Sequence, residues 1–253
     1  MTSVTGVNIN GISNSLGLKG STTIYDYNHK KWMYTDEQDA NVATLPASTF
    51  KILNSLIALE YKAVQDETEI LNWDGKPKSH FGTVIKAWNK DTDMRSAYKN
   101  STVWFYVEMA KRIGRKKYRK ILKKCNYGNG NFSEKGTDFW NYGDFSITPK
   151  NQIQLLIKLY ENELPFSDGN IDKVKEIMIS DRSDTRVLRG KTGWTRKDGI
   201  DIGWWVGYVE TTDGNIFFFA TRLQKDVQDT NTNFSRGRIA VTERILNDLG
   251  VHW

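Results

Sequence analysis

A serine stands three residues before a lysine in the stretch PASTFKILN, residues 46 to 54. On a helix, positions i and i+3 share a face, so the Ser48 hydroxyl and the Lys51 amine are predicted to meet. A hydroxyl beside an amine is the arrangement of a nucleophile and its general base. The spacing therefore predicts a nucleophilic site at Ser48.

The residues around Lys51 predict that this pair is buried. Apolar side chains occupy much of the circumference of the expected helix, at Phe50, Ile52, Leu53, Leu56, Ile57 and Leu59. Such a helix is buried, and burial lowers the pKa of Lys51, as a base acting on a hydroxyl requires. Backbone N–H groups at the helix start are expected to stabilise negative charge near Ser48. The alternative, in which Ser48 caps the helix and Lys51 reaches solvent, stays open on this stretch alone.

The Ser-x-x-Lys pattern by itself carries little weight, because ordinary residue usage yields about one match by chance in a chain of this length. A second match runs from Ser96 to Lys99 in a polar stretch without apolar residues after it. We predict that this second match is a solvated surface feature.

A further group of residues with chemical potential is Lys191-Thr192-Gly193, in a stretch that predicts a strand. The glycine lets a ligand lie close to the strand, while Lys191 and Thr192 present a charge and a hydroxyl to an anionic group. The alternative is a turn between strands. A serine-lysine helix start and a later Lys-Thr-Gly strand are together two of the three signature elements of penicillin-recognising serine enzymes.

The elements that must position these groups are strands near both ends of the chain and helices between them. Strands are predicted within residues 21–35, around a turn at 28–31, and at 186–194, 203–212 and 215–223, with an Asp-Gly hairpin turn at 213–214. Helices are predicted over 46–61, 101–113, 115–124, 149–161, 171–179 and 233–249, whereas 62–100 is loop-rich.

This order favours an α+β fold, with one antiparallel sheet built from both termini, flanked by helices and carrying an inserted helical lobe. We expect a single domain over residues 1–253. Its sheet lobe is expected at about 20–60 and 180–253, and its helical lobe at about 61–179. The cleft between the lobes is the natural place for the site.

Composition excludes several classes of protein. The 253 residues are 38% hydrophobic and 26% charged, and no apolar run approaches the roughly 20 residues of a membrane span. Cys125 is the only cysteine, which excludes an internal disulfide. No metal site is predicted, because the three histidines, His29, His80 and His252, lack metal-ligand spacing. The first residues lack the layout of a secretory signal.

Positive charge is concentrated in KRIGRKKYRKILKK, residues 111 to 124, in a chain of net charge +6. Ile113, Tyr118, Ile121 and Leu122 fall near helical spacing there, so we expect an ordinary solvated helix face. No nucleic-acid motif accompanies it, and no nucleic-acid partner is predicted. A protein that binds anionic polymers would leave the serine and lysine residues unexplained.

The third signature element is found at Ser101-Thr102-Val103, and Tyr127-Gly128-Asn129 follows it. With these residues the chain resembles the class D, or oxacillinase-type, serine β-lactamases. The matching stretches, in the order of that family, are PASTFKILNSLIALE, WDGK, STVWFY, YGN, DFW at 138 to 140, KTGW and GWWVGYVE. The resemblance covers about Gly20 to Leu249.

The resemblance implies the chemistry of the site. Ser48 would be the acylated nucleophile, and Lys51 the general base, modified by CO₂ to a carbamate. Ser101 and Lys191 would relay protons to the leaving nitrogen. The backbone N–H groups of Ser48 and Trp194 would form the oxyanion hole. No other cofactor is implied, and the substrates would be β-lactams.

The resemblance also implies supporting residues. Trp140 would donate its indole N–H to the carbamate, and Val103 would screen it. Arg238 would bind the substrate carboxylate beside Thr192 and Gly193. Arg236 is the alternative carboxylate ligand.

One departure from the family is Asn141, which follows Trp140 where leucine is usual. We expect this polar side chain to admit water to the carbamate, which would either speed deacylation or let CO₂ escape, and we hypothesise weaker retention of the carbamate than is usual. The segment from Thr195 to Ile202 is expected to border the site as a loop and to influence which β-lactams are preferred. No motif in the sequence specifies that preference or the oligomeric state.

Two related functions compete with hydrolysis. β-Lactam sensor domains acylate without turnover, but they tend to carry asparagine in the place of Val103 and to lack the late arginine. Transpeptidases generally use Ser-x-Asn where Ser101-Thr102-Val103 stands. The sequence therefore favours the β-lactamase, with a periplasmic or secreted location expected from the resemblance.

Overall fold

A computed structural model describes residues 17–252 of the chain. Its strands, in chain order, are β1 (Lys19–Asp26), β2 (Lys31–Tyr34), β3 (Ser79–His80), β4 (Thr83–Val84), β5 (Ile179–Arg182), β6 (Arg186–Lys197), β7 (Ile200–Thr211) and β8 (Ile216–Asp226). Its α-helices are α1 (Lys51–Glu60), α2 (Met94–Lys99), α3 (Val103–Ile113), α4 (Arg115–Cys125), α5 (Pro149–Tyr160), α6 (Asp168–Ile177) and α7 (Phe234–Asp248). Short 3₁₀ turns lie at Asp39–Asn41, Ala47–Phe50 and Lys86–Trp88.

Six of the strands form one antiparallel sheet in the order β2-β1-β8-β7-β6-β5. The two ends of the chain meet in this sheet because β1 pairs with β8 along its whole length, from Lys19 opposite Gln224 to Asp26 opposite Phe217. The predicted α+β fold with an antiparallel sheet from both termini is therefore confirmed. The division into two lobes within one domain stays a prediction.

The central strand β7 is buried on both faces, which explains its nearly continuous apolar sequence. Trp204 and Val206 pack into the same core as α1. Trp205 and Val209 point to the other face, where they pack with Val241 and other residues of α7. The sheet thus lies between α7 and the remaining helices and forms the rigid frame for the site.

The helix boundaries follow from local chemistry. The predicted helix at 46–61 opens as the 3₁₀ turn Ala47–Phe50 and continues as α1. The predicted helix at 101–113 begins only at Val103, because Ser101 has a left-handed φ of 55°. In α5, Thr148 accepts a hydrogen bond from the Asn151 N–H and Pro149 occupies the first turn. In α4, the cationic side chains lie on the solvent side, while Tyr118 and Leu122 are buried.

The expectation of a loop from Thr195 to Ile202 is wrong. These residues extend β6 and β7 into a long hairpin, whose turn is confined to Asp198 and Gly199, both with positive φ. An Asp-Gly pair with positive φ at both positions matches the twist of antiparallel strands. The sequence contained the same Asp-Gly pattern here as at 213–214, where the hairpin was predicted.

The strands β3, β4 and β5 were not predicted from the sequence, since they are only two to four residues long.

None of the helices within residues 17–252 is long and apolar enough to cross a membrane. The expectation about a secretory signal concerns the first residues of the chain, which lie outside the described range.

Gly207 lets β6 and β7 approach closely, so a side chain at this position should destabilise the sheet. A Cβ atom there would collide with the Arg189 carbonyl oxygen and lie 2.8 Å from the Phe219 ring. We expect Gly207→Ala to lower the free energy of unfolding by about 2 kcal/mol or more, measured by urea denaturation. Gly169→Ala is the control, because a Cβ atom at Gly169 in α6 meets nothing within 4 Å. Equal urea midpoints for the two variants would contradict this account.

Candidate active site

The segment that carries Ser48 is held in a tight turn before α1. The Ala47 N–H donates to the Trp140 carbonyl at 2.9 Å, and the Thr49 hydroxyl donates to the Pro46 carbonyl at 2.7 Å. Ala47 has a φ of 53°, which is uncommon for a residue other than glycine. Strain of this kind persists where the surrounding structure imposes it, often at functional sites.

The side chains of Ser48 and Lys51 are in contact. Lys51 Nζ donates to Ser48 Oγ at 2.7 Å, and the lysine side chain is completely buried. Burial, followed by the positive charge of Lys191, holds the pKa of Lys51 well below its ordinary value, against a smaller opposing effect of Asp138. The alternative that Lys51 reaches solvent is therefore wrong. A neutral amine beside a hydroxyl can accept its proton.

Ser101 and Lys191 form a second serine–lysine pair, between the start of α3 and β6. Lys191 Nζ donates to Ser101 Oγ at 2.6 Å. Burial lowers the pKa of Lys191 to about 7, and the nearby charge of Arg238 adds to this effect. An amine with that pKa can both hold and release a proton near neutral pH.

The edge of β6 presents backbone groups to the site. The Gly190 N–H donates to the Met178 carbonyl at 2.9 Å, on the side of β6 away from β7. Backbone N–H groups along a strand alternate in direction, so the Trp194 N–H, four residues further on, points to the same edge. Beyond Arg189 that edge is not paired with β5 but borders the cavity that also contains Ser48. Gly193 allows this approach, since a Cβ atom there would lie 3.1 Å from the Pro46 carbonyl oxygen.

Arg238 and Arg236 differ sharply in position, although both belong to α7. Arg236 is exposed, whereas Arg238 is buried and lines the cavity. Arg238 Nη1 donates to the Gly193 carbonyl at 2.6 Å, and its Nε makes no hydrogen bond with the described residues. Burial lowers the pKa of Arg238 to about 10, which still leaves it charged at neutral pH. Arg238, and not Arg236, is therefore in position to contact an anionic ligand bound in the cavity.

Trp140 packs against Phe50, two residues after the nucleophile. Its ring stacks on Phe50 with centroids 5.2 Å apart, and its buried Nε1 has no hydrogen-bond partner among residues 17–252. A buried indole N–H without an acceptor is costly, and it fits a site that receives an added acceptor group. Val103 lies at the start of α3 and lines the cavity. Together with the neutral amine of Lys51, these residues fit a carbamate formed with CO₂.

Asn141 also lines the cavity. Its carbonyl accepts from the Thr195 hydroxyl at 2.8 Å, which ties it to β6, and its side-chain Nδ2 lies 3.5 Å from Asp138 Oδ2. Burial raises the pKa of Asp138, while the Asn141 hydrogen bond opposes that rise. A polar pair therefore lies close to the buried part of the site.

The cavity has a volume of about 690 Å³, and its lining includes Ser48, Ser101 and Arg238. Sequence reasoning did not predict part of its wall, which is aromatic and consists of His80, Phe81, Trp88, Trp104 and Tyr142. Most of these residues come from segments without regular periodicity, so no pattern indicated them. The second Ser-x-x-Lys match lies on α2, outside the cavity lining, and its Lys99 is exposed, as predicted.

The fold and the site together define a serine enzyme of the penicillin-recognising type. The family model of the penicillin binding protein transpeptidase domain matches residues 20–249. β-Lactamase OXA-20 from Pseudomonas aeruginosa is 43% identical over 198 residues, which is 78% of this chain and 67% of that protein. The alignment with β-lactamase OXA-2 from Salmonella typhimurium, 46% identical over 68% of this chain, spans 60% of that protein.

Solved structures agree with this assignment. A class D β-lactamase from Sebaldella termitidis has a TM-score of 0.92 and 41% sequence identity, and the match covers 98% of both chains. The C-terminal domain of the Bacillus licheniformis BlaR penicillin-receptor has a TM-score of 0.87 and 31% identity, covering 98% of this chain and 96% of that chain. The chain belongs to the class D β-lactamases, which are serine hydrolases.

The low pKa of Lys191 should depend on Arg238. In Arg238→Met we expect the pKa of Lys191 to rise above about 7 but to stay below its ordinary value, because burial is the larger cause. Lysine ¹³Cε NMR measures the titration, and its loss in Lys191→Met assigns the signal. Arg236→Met is the matched control on the same helix and should leave the titration unchanged. An unaltered midpoint in Arg238→Met would show that the guanidinium has no such effect.

Proposed function

We propose that this chain hydrolyses β-lactam antibiotics through an acyl-enzyme on Ser48, which is deacylated with carbamylated Lys51 as the base. The single observation that carries the proposal is the buried contact of 2.7 Å between Ser48 Oγ and a lysine amine of strongly lowered pKa. A lysine in this state is a base and not a counter-ion. Membership of the class D β-lactamases indicates that the reaction is hydrolysis of a β-lactam.

In the acylation step, Ser48 Oγ attacks the β-lactam carbonyl carbon. A new C–O bond forms, the C–N bond of the ring breaks, and the ring nitrogen must receive a proton. Lys191 and Ser101 are suited to supply it, since they lie 2.6 Å apart and the pKa of Lys191 is about 7. The backbone N–H groups of Ser48 and Trp194 stabilise the negative charge on the carbonyl oxygen.

Residues of β6 and α7 orient the substrate in this proposal. Arg238 carries a buried positive charge at the cavity wall, and its Nε makes no hydrogen bond with any of residues 17–252. Thr192 and Gly193 line the same wall, and Gly193 leaves room beside the strand. These residues bind the carboxylate of the β-lactam and hold the carbonyl group against Ser48.

Deacylation requires a base that can act on water. Only an uncharged amine adds CO₂, and the burial of Lys51 provides one. The carbamate so formed supplies a basic oxygen for the proton of Ser48 or of water. Trp140 donates its otherwise unbonded N–H to hold the group, and Val103 shields it from the cavity. Water then replaces Ser48 on the acyl carbon, and Ser48 regains its proton.

The second candidate function is a β-lactam sensor that acylates without turnover. It is favoured by the likeness to the penicillin-receptor domain, which extends over 98% of this chain. The hydrolase is preferred because Val103, and not asparagine, stands at the start of α3, and because Arg238 is present. From the same family likeness we propose a periplasmic or secreted location.

Turnover of benzylpenicillin separates the two functions. In bicarbonate buffer with excess substrate, we expect the protein to consume many equivalents, whereas a sensor would consume one and stop. Lys51→Ala should lower turnover by at least about 100-fold, since one group serves both steps. Lys99→Ala alters the exposed lysine of the second Ser-x-x-Lys match and is the matched control. Full turnover by Lys51→Ala would overturn the assignment of the base.

Asn141 should make the activity depend on bicarbonate. At mildly acid pH, protonation of Lys51 competes with CO₂ addition, and a polar side chain near the amine admits the water that assists loss of CO₂. We expect added bicarbonate to raise turnover of the wild-type protein under these conditions. Asn141→Leu should weaken that response, because an apolar side chain excludes water. Indifference of the wild-type rate to bicarbonate would refute weak carbamate retention.

A further inference from the structure

A second cavity, of about 550 Å³, adjoins the active-site cavity. Lys78, Trp104 and Val107 line both cavities, so the two are contiguous. Trp104 is fixed at this boundary because its Nε1 donates to the Trp88 carbonyl at 2.7 Å. A molecule bound at Ser48 can therefore extend past a rigid aromatic side chain into the second cavity.

Exposed apolar side chains are concentrated along these two cavities. The large apolar side chains with the greatest exposure among residues 17–252 are Val42, Ile70, Phe81, Val84 and Tyr142. Phe81 and Tyr142 line the active-site cavity, and Ile70, which is 65% exposed, lines the second one. Apolar surface that stays in contact with water next to a binding site indicates an apolar ligand group.

The charged groups of the second cavity nearly cancel. Its acidic residues are Glu69, Asp74 and Glu108, and its basic residues are Lys78, Lys111 and Arg112. Arg112 lies 3.4 Å from Glu108 and 3.8 Å from Glu69, and Lys111 lies 3.7 Å from Glu108. Lys78 and Asp74 form a closer pair, at 2.7 Å, and Arg112 also donates to the Ala63 carbonyl. The longer, partly exposed pairs are weak, so Glu69, Glu108 and Lys111 stay available to a ligand. The cavity suits a polar group without net charge that both donates and accepts hydrogen bonds.

We propose that the second cavity is a subsite for the distal part of the β-lactam acyl side chain. It takes long side chains in which an uncharged, amide-rich tail lies beside an apolar group. This inference rests on the proposed function. In a penicillin, the carboxylate and the acylamino group lie at opposite ends of the fused rings. The carboxylate ligands Arg238 and Thr192 belong to α7 and β6. Of the residues shared by the two cavities, Trp104 and Val107 belong to α3, and Lys78 immediately precedes β3.

The test compares two penicillins with the same ring nucleus. The acyl side chain of benzylpenicillin consists of a phenyl group on one carbon, whereas in piperacillin the same carbon bears both a phenyl group and a neutral amide tail with an N-ethyl dioxopiperazine ring. In Ile70→Asn we expect kcat/KM for piperacillin to fall about fivefold, because the apolar contact with the ethyl group at the end of the tail is lost. For benzylpenicillin the value should stay within about twofold of wild type. Ile70 is exposed and lines only the second cavity, so the variant should fold, which a thermal melt checks.

Val42→Asn is the matched control, since Val42 is also an exposed apolar residue but lines neither cavity. The ratio of the two kcat/KM values should change in Ile70→Asn alone. A ratio unchanged in Ile70→Asn, or changed equally in Val42→Asn, would overturn the subsite. Failure of the wild-type protein to turn over either penicillin would instead count against the proposed function, so the two failures are distinguishable.

Discussion

The burial of the Lys51 amine is the constraint on which the rest of the site depends. A charged ammonium without water or a close carboxylate would be very costly, so the surrounding structure favours the neutral amine. Neutrality makes the amine both a base toward Ser48 and a nucleophile toward CO₂. The apolar residues of α1 produce this state by placing Lys51 in the main core beside the sheet.

That burial is maintained by aromatic packing beneath the nucleophile. Phe50 immediately precedes Lys51, and its ring contacts those of Tyr118, Tyr127, Phe139, Trp140 and Phe145. The cluster joins α1 to α4 and to the segment before α5. It therefore packs the Trp140 indole, whose N–H has no acceptor among residues 17–252, against the residue that precedes the buried lysine. Stability of the core and chemistry of the site have the same physical origin.

The sheet contributes the backbone groups of β6 to the site, because the pairing between β5 and β6 stops before β6 ends. Because β5 pairs with β6 only as far as Arg189, the continuation of β6 leaves the edge that carries Trp194 beside Ser48. Lys191 points from this strand to Ser101, whose left-handed φ turns its hydroxyl toward the lysine before α3 begins. Two residues with unfavourable backbone conformations, Ala47 and Ser101, thus flank the reacting groups, and the sheet and core hold them there.

The sequence by itself determined the local features of this protein. The apolar pattern of α1, the strand residues of β6 to β8 and the Ser48, Ser101 and Lys191 motifs each depend on near neighbours, and residue type and spacing specify them. Tertiary structure alone decided what depends on distant contacts. It placed Arg238, and not Arg236, at the cavity wall by burying one face of α7. It also turned the expected loop at 195–202 into a paired hairpin, and it brought the aromatic wall and the second cavity together from irregular segments. Such features arise from packing between residues far apart in the chain, which no periodicity in a single sequence records.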